Sequence, residues 1–250
     1  MKTSPTPAEG CSDPEEEGNV EPGIKVATLN LSVGGLRKCL TSMRAWALAE
    51  HIGVLHLQEV YNLGPKSEGR KRRKPQEWAD LTKYLPEYFL VHSHGGDDTS
   101  TERRVVVTLV RKTLKQWTKV LPLKLQAPYT GPSPLQGRAI AVRIEVPHRQ
   151  PVTLVNAWMP DSSRGLQVQR DAYAELNRMV GRWTSLHKLI MIAGDMNAAL
   201  NSTHDVAFRN PLAKPGAGKA KGDALLEGLI REQGLRHDSI RGPTWSGTNA

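Results

Sequence analysis

"IMIAGDMNAA", residues 190–199, is an apolar run that stops at Asp195, skips Met196 and sets Asn197 before a small-residue stretch. Its shortness, its isoleucines and its glycine predict a strand buried on both faces. Side chains two apart on an extended chain point the same way, so Asp195 and Asn197 are expected together at the edge of a rigid core. An acid and an amide at a strand end also have an everyday use, bonding to the backbone of the following turn. The rest of the chain decides between these readings.

Working back from residue 190, "LQVQRDAYAELNRMVGRW" sets Leu166, Tyr173, Leu176, Val180 and Trp183 on one helical stripe. Before it, "RVVVTLV", "RAIAVRIEV" and "PVTLVNAWM" read as strands, the middle one with Ile140, Val142, Ile144 and Val146 on one face. Nearer the start, a strand around residues 24–29 ends at Asn30. A helix follows with Leu36, Leu40, Met43 and Ala47 at helical spacing, and then "IGVLHLQEV" delivers Glu59 near the end of a second strand. "GPKSEGRKRRKPQEW", "VHSHGGDD" and "NPLAKPGAGKAKG" read as surface loops, with Trp78 a helix core residue rather than a base-stacking platform. "DALLEGLIREQG" is a short helix with Gly234 as its C-cap. No internal repeat is visible. Strands and helices in this number predict α/β layers, strands inside and helices outside.

Composition narrows the class. A chain of 250 residues is an ordinary length for one α/β domain. Residues 1–23, with the run Glu15, Glu16, Glu17 and few large apolar groups, are expected to form a disordered acidic leader, leaving 24–250 as the domain. Formal net charge is +9, which favours a polyanionic partner. Cys11 and Cys39 are the only cysteines, so a disulfide framework or paired thiolate metal motif is excluded and a reducing compartment is favoured. No apolar run of about 18 residues and no apolar N-terminal stretch occurs, so the expectation is a soluble intracellular protein without a membrane partner. Nothing signals an oligomer, and a monomer is expected. The run Arg70, Lys71, Arg72, Arg73, Lys74 reads as a phosphate-binding flap or as a nuclear localisation signal, which would place the protein in the nucleus. A solvated loop is the plain alternative.

Asn30, Glu59, Asp161 just after Pro160, and the Asp195–Asn197 pair each close an apolar segment. If those ends share one edge, carboxylates and amides gather into an oxygen-rich pocket of the kind that suits Mg²⁺, with Mn²⁺ as an alternative. The chemistry is then phosphoester hydrolysis, with one carboxylate on the metal, another on the attacking water and amides on phosphate oxygens. Arg138 reaches phosphate or pairs with an acid. The His92–His94 pair fits a loop better than a metal site, because no third ligand is in view.

The ordered set "TLNLSVGGL", "LHLQEV", "LQGRAIAVRI", "LVNAWMPDSSRGL" and "IAGDMNAAL" resembles the endonuclease/exonuclease/phosphatase superfamily from about residue 24 onward. The nearest look is to apurinic endonuclease-like domains of non-LTR retroelements, which "GLRHDSIRGPTWSG" also resembles. The resemblance implies a four-layer αββα sandwich of two mixed sheets flanked by helices, and metal-dependent phosphodiester cleavage. It makes Glu59 the principal Mg²⁺ ligand, Asn30 a support of the metal shell, Asp195 the activator of water, and Asn197 its partner on water and phosphate. Trp158 stands where the family's endonucleases usually carry Tyr, and lacks the phenolic oxygen. Asp161 stands where they usually carry Asn, adding metal affinity at the expense of repelling phosphate. The sequence ends at Ala250 without the family's late Asp and Ser-Asp-His segments, so a C-terminally truncated domain lacking its final strands is expected.

Three functions follow. One is a Mg²⁺-dependent, retroelement-type DNA endonuclease whose nick primes reverse transcription, with Trp158, Arg138, Asn30, Arg72 and Arg73 meeting DNA. A second is a phosphatase or phosphodiesterase of the same fold acting on small phosphorylated compounds or lipids. The third is an inactive fragment that binds nucleic acid weakly.

Overall fold

Two valine- and leucine-rich segments, Val54–Tyr61 and Arg104–Arg111, are apolar on both faces, and each pairs with strands on both sides. They form the middle of a sheet sandwiched between two other layers. In this computed structural model the described residues are 23–31, 36–61, 77–92, 104–121, 133–186, 189–198 and 223–236. The expected leader, the basic run with Arg72 and Arg73, the loop at 210–222 and the segment "GLRHDSIRGPTWSG" beyond Arg236 lie outside them, as does His94.

The first sheet has the order β1-β2-β4-β3, with β1 at Val26–Asn30, β2 at Val54–Tyr61, β3 at Tyr88–His92 and β4 at Arg104–Arg111. The second has the order β5-β6-β7-β8, with β5 at Thr118–Leu121, β6 at Ala139–Ile144, β7 at Val152–Trp158 and β8 at Ile190–Asp195. Each sheet has one parallel pair at one edge, joined by a helix: α1 (Leu36–Ala49) between β1 and β2, and α3 (Leu166–Leu186) between β7 and β8. Helices α2 (Glu77–Tyr84) and α4 (Asp223–Gln233) complete the outer layers.

Alternation along the strands sets the layers. Leu55, Leu57, Val105, Val107 and Leu109 pack outward on Leu40, Met43 and Ala47 of α1 and Leu81 of α2. Val54, Val106 and Val110 point inward onto Ile140, Val142, Ile144, Leu154 and Trp158 of the second sheet, with Val146 packed alongside. The outer face of that sheet, Ala139, Ala141, Val155 and Ala157, receives Tyr173, Leu176, Val180 and Trp183 from α3 and Leu226 and Leu229 from α4. Small residues on the strands let the bulky helix stripe approach. Each fully buried Leu or Val stabilises by about 1.5–3 kcal/mol, so the three clusters together supply the main driving force for the sandwich. The four layers run helix, sheet, sheet, helix. Gly234, at φ +61, ends α4 as expected, the Leu235 N–H reaching back to the Ile230 carbonyl at 2.9 Å. No helix among the described residues is long and apolar enough to cross a membrane.

β8 is not buried on both faces: among the described residues it is the edge of its sheet, most of its residues are half-buried, and Met191 is 47% exposed. Glu77 starts α2 instead of lying in a loop, with Trp78 in the helix as read from "QEWADLTKYL", and His92 ends β3 instead of joining a loop. Strands β3 and β5 had no clear signal; "TKVL" is only four residues, its two middle side chains exposed, and it is defined by its register against β6.

A buried polar layer crosses the interface between the sheets. Gln58 donates to the Asn156 side-chain oxygen at 2.7 Å, and the Asn156 amide donates to the carbonyls of Val107 at 3.0 Å and Leu57 at 3.2 Å. His56 meets the Thr108 hydroxyl at 2.9 Å. Burial pushes its imidazole down to about 3, so it is neutral in the folded protein.

Candidate active site

Four strand ends meet at one end of the sandwich. In each parallel pair both strands point the same way, so Asn30 and Glu59 near the ends of β1 and β2 come to lie opposite Asp195 at the end of β8. Their side chains touch across the two sheets.

Glu59 owes its position to a β-bulge. Leu57 pairs with Val107 and Val60 with Val105, so β2 advances three residues where β4 advances two. Strict alternation would put residue 59 on the helix-facing side with Leu55 and Leu57. The extra residue is Glu59, held at φ +59, a left-handed conformation that side-chain-bearing residues adopt infrequently. The bulge turns it to Asn30, whose amide nitrogen donates to the Glu59 carboxylate at 3.2 Å. Nothing in the sequence signals this bulge.

The same Asn30 nitrogen donates to Asp195 Oδ2 at 2.5 Å. One neutral amide therefore gathers a carboxylate from each sheet around a single point of partial positive charge. Mg²⁺ commonly takes one or two carboxylates from a protein and completes its shell with water and phosphate oxygens, so Glu59 and Asp195 fit a hard divalent cation, with the Asn30 oxygen, not its donating nitrogen, able to join them. Among the described residues no group of three or more His, Cys, Asp or Glu side chains comes together, so any such site rests on this smaller set.

Asp195 and Asn197 do lie together, but not by strand alternation. The strand ends at Asp195, and Asn197 takes φ +47. Asp195 Oδ1 accepts the Asn197 backbone N–H at 2.9 Å, an Asx turn, so the everyday use of the pair is part of the site. The Asn197 side chain donates to the Met159 carbonyl at 2.7 Å, and the Met159 N–H donates to the Asp195 carbonyl at 2.9 Å. Met196, the residue skipped in the sequence reading, packs against the apolar cluster under α3 and anchors the turn. Its carbonyl accepts the Tyr173 hydroxyl at 2.7 Å. Gly194, at φ +146, lets the strand pass the Ala157 carbonyl, which a Cβ would meet at 2.0 Å.

Arg138 and Trp158 sit one behind the other. The guanidinium lies 4.3 Å from the indole centroid, both residues are buried, and the Trp158 N–H donates to the Arg138 carbonyl at 2.7 Å. Trp158 points into the core between the sheets, where it holds the arginine from below. Asp161 is exposed and caps the short 3-10 turn Ser162–Arg164, accepting from the Ser163 N–H at 2.8 Å and from the Ser163 hydroxyl. The Ser163 hydroxyl bond holds its carboxyl below the usual range, helped by the Ser163 N–H and by the charges of Arg164 and Arg138. The structure thus joins Asn30, Glu59, Asp195 and Asn197 in one constellation, and gives Asp161 a turn of its own. Met159, Tyr173, Gly194 and the Gln58–Asn156 pair were missed. Of these, only the glycine before Asp195 carried a local signal.

Two mixed four-stranded sheets packed face to face between helices define the endonuclease/exonuclease/phosphatase fold. Among solved structures, the chain is similar to an AP endonuclease from Leishmania major, with a TM-score of 0.60 and 17% identity over 82% of this chain and 65% of that one. It is similar to a 3′ phosphatase from Neisseria bound to a product DNA hairpin, with a TM-score of 0.53 and 17% identity over 84% of this chain and 71% of that one. A Leptotrichia buccalis protein of the endonuclease/exonuclease/phosphatase family gives a TM-score of 0.52 and 15% identity over 84% of this chain and 73% of that one. The chain spans 65% of the length of the Leishmania protein, and at these identities the likeness is one of fold. Neither a family model nor a curated protein matches the sequence.

Proposed function

We propose that this chain is a Mg²⁺-dependent phosphodiester hydrolase that nicks DNA, of the type carried by non-LTR retroelements. The observation that carries the reading is the convergence of Glu59 and Asp195, one from each sheet, on the amide of Asn30. Such an arrangement concentrates negative charge at the rim of a basic protein, which favours a cation-dependent site for a polyanion. The likeness to a phosphatase solved with DNA adds support for the substrate class.

In this reading Glu59 and the Asn30 oxygen would hold the metal, which when bound would offset charge on the phosphate. Asp195 takes the proton from the attacking water. Its orientation is fixed before substrate arrives, because Oδ1 accepts the Asn197 N–H and Oδ2 the Asn30 amide. Asn197 keeps the turn in place and contributes amide polarity beside the phosphate. Arg138, stacked on Trp158, adds positive charge near the same strand end, and Arg72 and Arg73 meet the DNA backbone.

Nicking of supercoiled plasmid tests the reading. The chain is expected to nick with Mg²⁺ and not with EDTA, and Glu59→Gln and Asp195→Asn to lose at least about 100-fold in rate while remaining folded. Release of phosphate from a 3′-phosphate oligonucleotide without nicking would assign the same site to DNA-end processing. A folded chain that does neither, yet binds DNA, overturns the hydrolase.

A further inference from the structure

Tyr173 belongs to the apolar face of α3 and is 3% exposed, yet its hydroxyl leaves that core to bond the carbonyl of Met196 at 2.7 Å. That carbonyl belongs to the peptide unit whose N–H, on Asn197, donates to Asp195 Oδ1. One rigid peptide plane is therefore gripped at both ends, by the tyrosine at its oxygen and by the carboxylate at its nitrogen. Rotation of the plane would carry the N–H away from Asp195.

Two further ties on this turn run to Met159, just past β7: its N–H on the Asp195 carbonyl, and its carbonyl on the Asn197 side chain; Asn30 bonds Asp195 Oδ2, and the Met196 side chain packs on the cluster under α3. None of these bonds the Met196 carbonyl, which sets the tilt of the Met196–Asn197 plane. Tyr173 holds that carbonyl from a different layer. Asn197 also needs such support, because its φ of +47 is a conformation that surroundings must impose. We propose that Tyr173 is a positioning residue for Asp195, acting through the Met196–Asn197 peptide and never touching the substrate. The inference rests on the hydrolase reading for its kinetic consequence, and on geometry alone for its structural one.

Tyr173→Phe removes the hydroxyl and keeps the ring in its core. Tyr88→Phe is the control: it deletes the same kind of buried bond, from Tyr88 to the Ile52 carbonyl at 2.7 Å, in the first sheet's core. Both variants of the full chain are expected to lose a few degrees of Tm. Only Tyr173→Phe is expected to speed hydrogen exchange at the Asn197 amide, and to lower kcat for plasmid nicking about tenfold with KM unchanged. Equal exchange at Asn197 in both variants overturns the proposal, as does a Tyr173→Phe variant with faster exchange and an unchanged kcat. If the unmodified chain does not nick, the function reading fails while the exchange comparison still judges the tyrosine. If the Phe variant does not fold, protection of the Asn197 amide in the unmodified chain is the measure, and an unprotected amide sinks the idea.

Discussion

At the residue scale, the site is built from backbone exceptions. Glu59 and Asn197 occupy left-handed conformations, and Gly194 takes one that strains any other residue. Gly194→Ala illustrates how little room remains. A Cβ there lands 2.0 Å from the Ala157 carbonyl oxygen, on backbone that neighbouring strands hold in place, so either β8 detaches from β7 or the turn moves. A loss of about 4 kcal/mol in urea unfolding is expected, with nicking abolished even where the variant folds. A variant with normal stability and activity would show that β8 reaches Asp195 by another path. Asp195, Asn197, Glu59 and Asn30 were legible because each is a polar residue closing an apolar run, which is a sequence-local signal. Tyr173 was not, because on a helical stripe it reads only as core; its second role depends on where a distant turn falls.

At the element scale, the bulge in β2 and the strand β7 act as a unit. A bulge breaks the local ladder after the Leu57–Val107 pair, and at that point the Asn156 amide from the opposite sheet donates to the carbonyls of both residues. Gln58 fixes which end of that amide faces them. Asn156→Leu keeps the volume but removes these amide bonds and the acceptor of the Gln58 amide, which is expected to cost about 3 kcal/mol and to loosen Glu59. Urea unfolding together with Mn²⁺ titration checks this: unchanged Mn²⁺ affinity in the folded variant would detach the bulge from Asn156. Strand and helix identities were largely readable from periodicity, as the α3 stripe and the alternation of Ile140, Val142 and Ile144 show. Sheet order and the bulge were not. They depend on pairing between segments far apart in sequence, to which a single-strand pattern is blind.

At the scale of the whole molecule, His56 ties stability to pH. Its folded value of about 3 lies below the ordinary 6.5, so between those values the unfolded chain binds a proton that the folded chain refuses. Its contribution is therefore fully present above 6.5 and declines as pH falls toward 3, by up to about 1.4 kcal/mol per pH unit. Thermal unfolding at pH 7.5 and pH 5 is expected to show a lower Tm at pH 5, and a shallower decline in His56→Leu. A decline of equal steepness in that variant would move the cause to other groups. The hydrogen bond between Asn30 and Asp195 spans 165 residues of sequence, so neither half of the chain holds a carboxylate pair on its own. Each half has a sheet and helices of its own, yet the charge needed for chemistry accumulates only when the two are docked. On the proposed function, reactivity toward DNA is thereby withheld from every partly folded form, and catalytic competence becomes a certificate of complete folding.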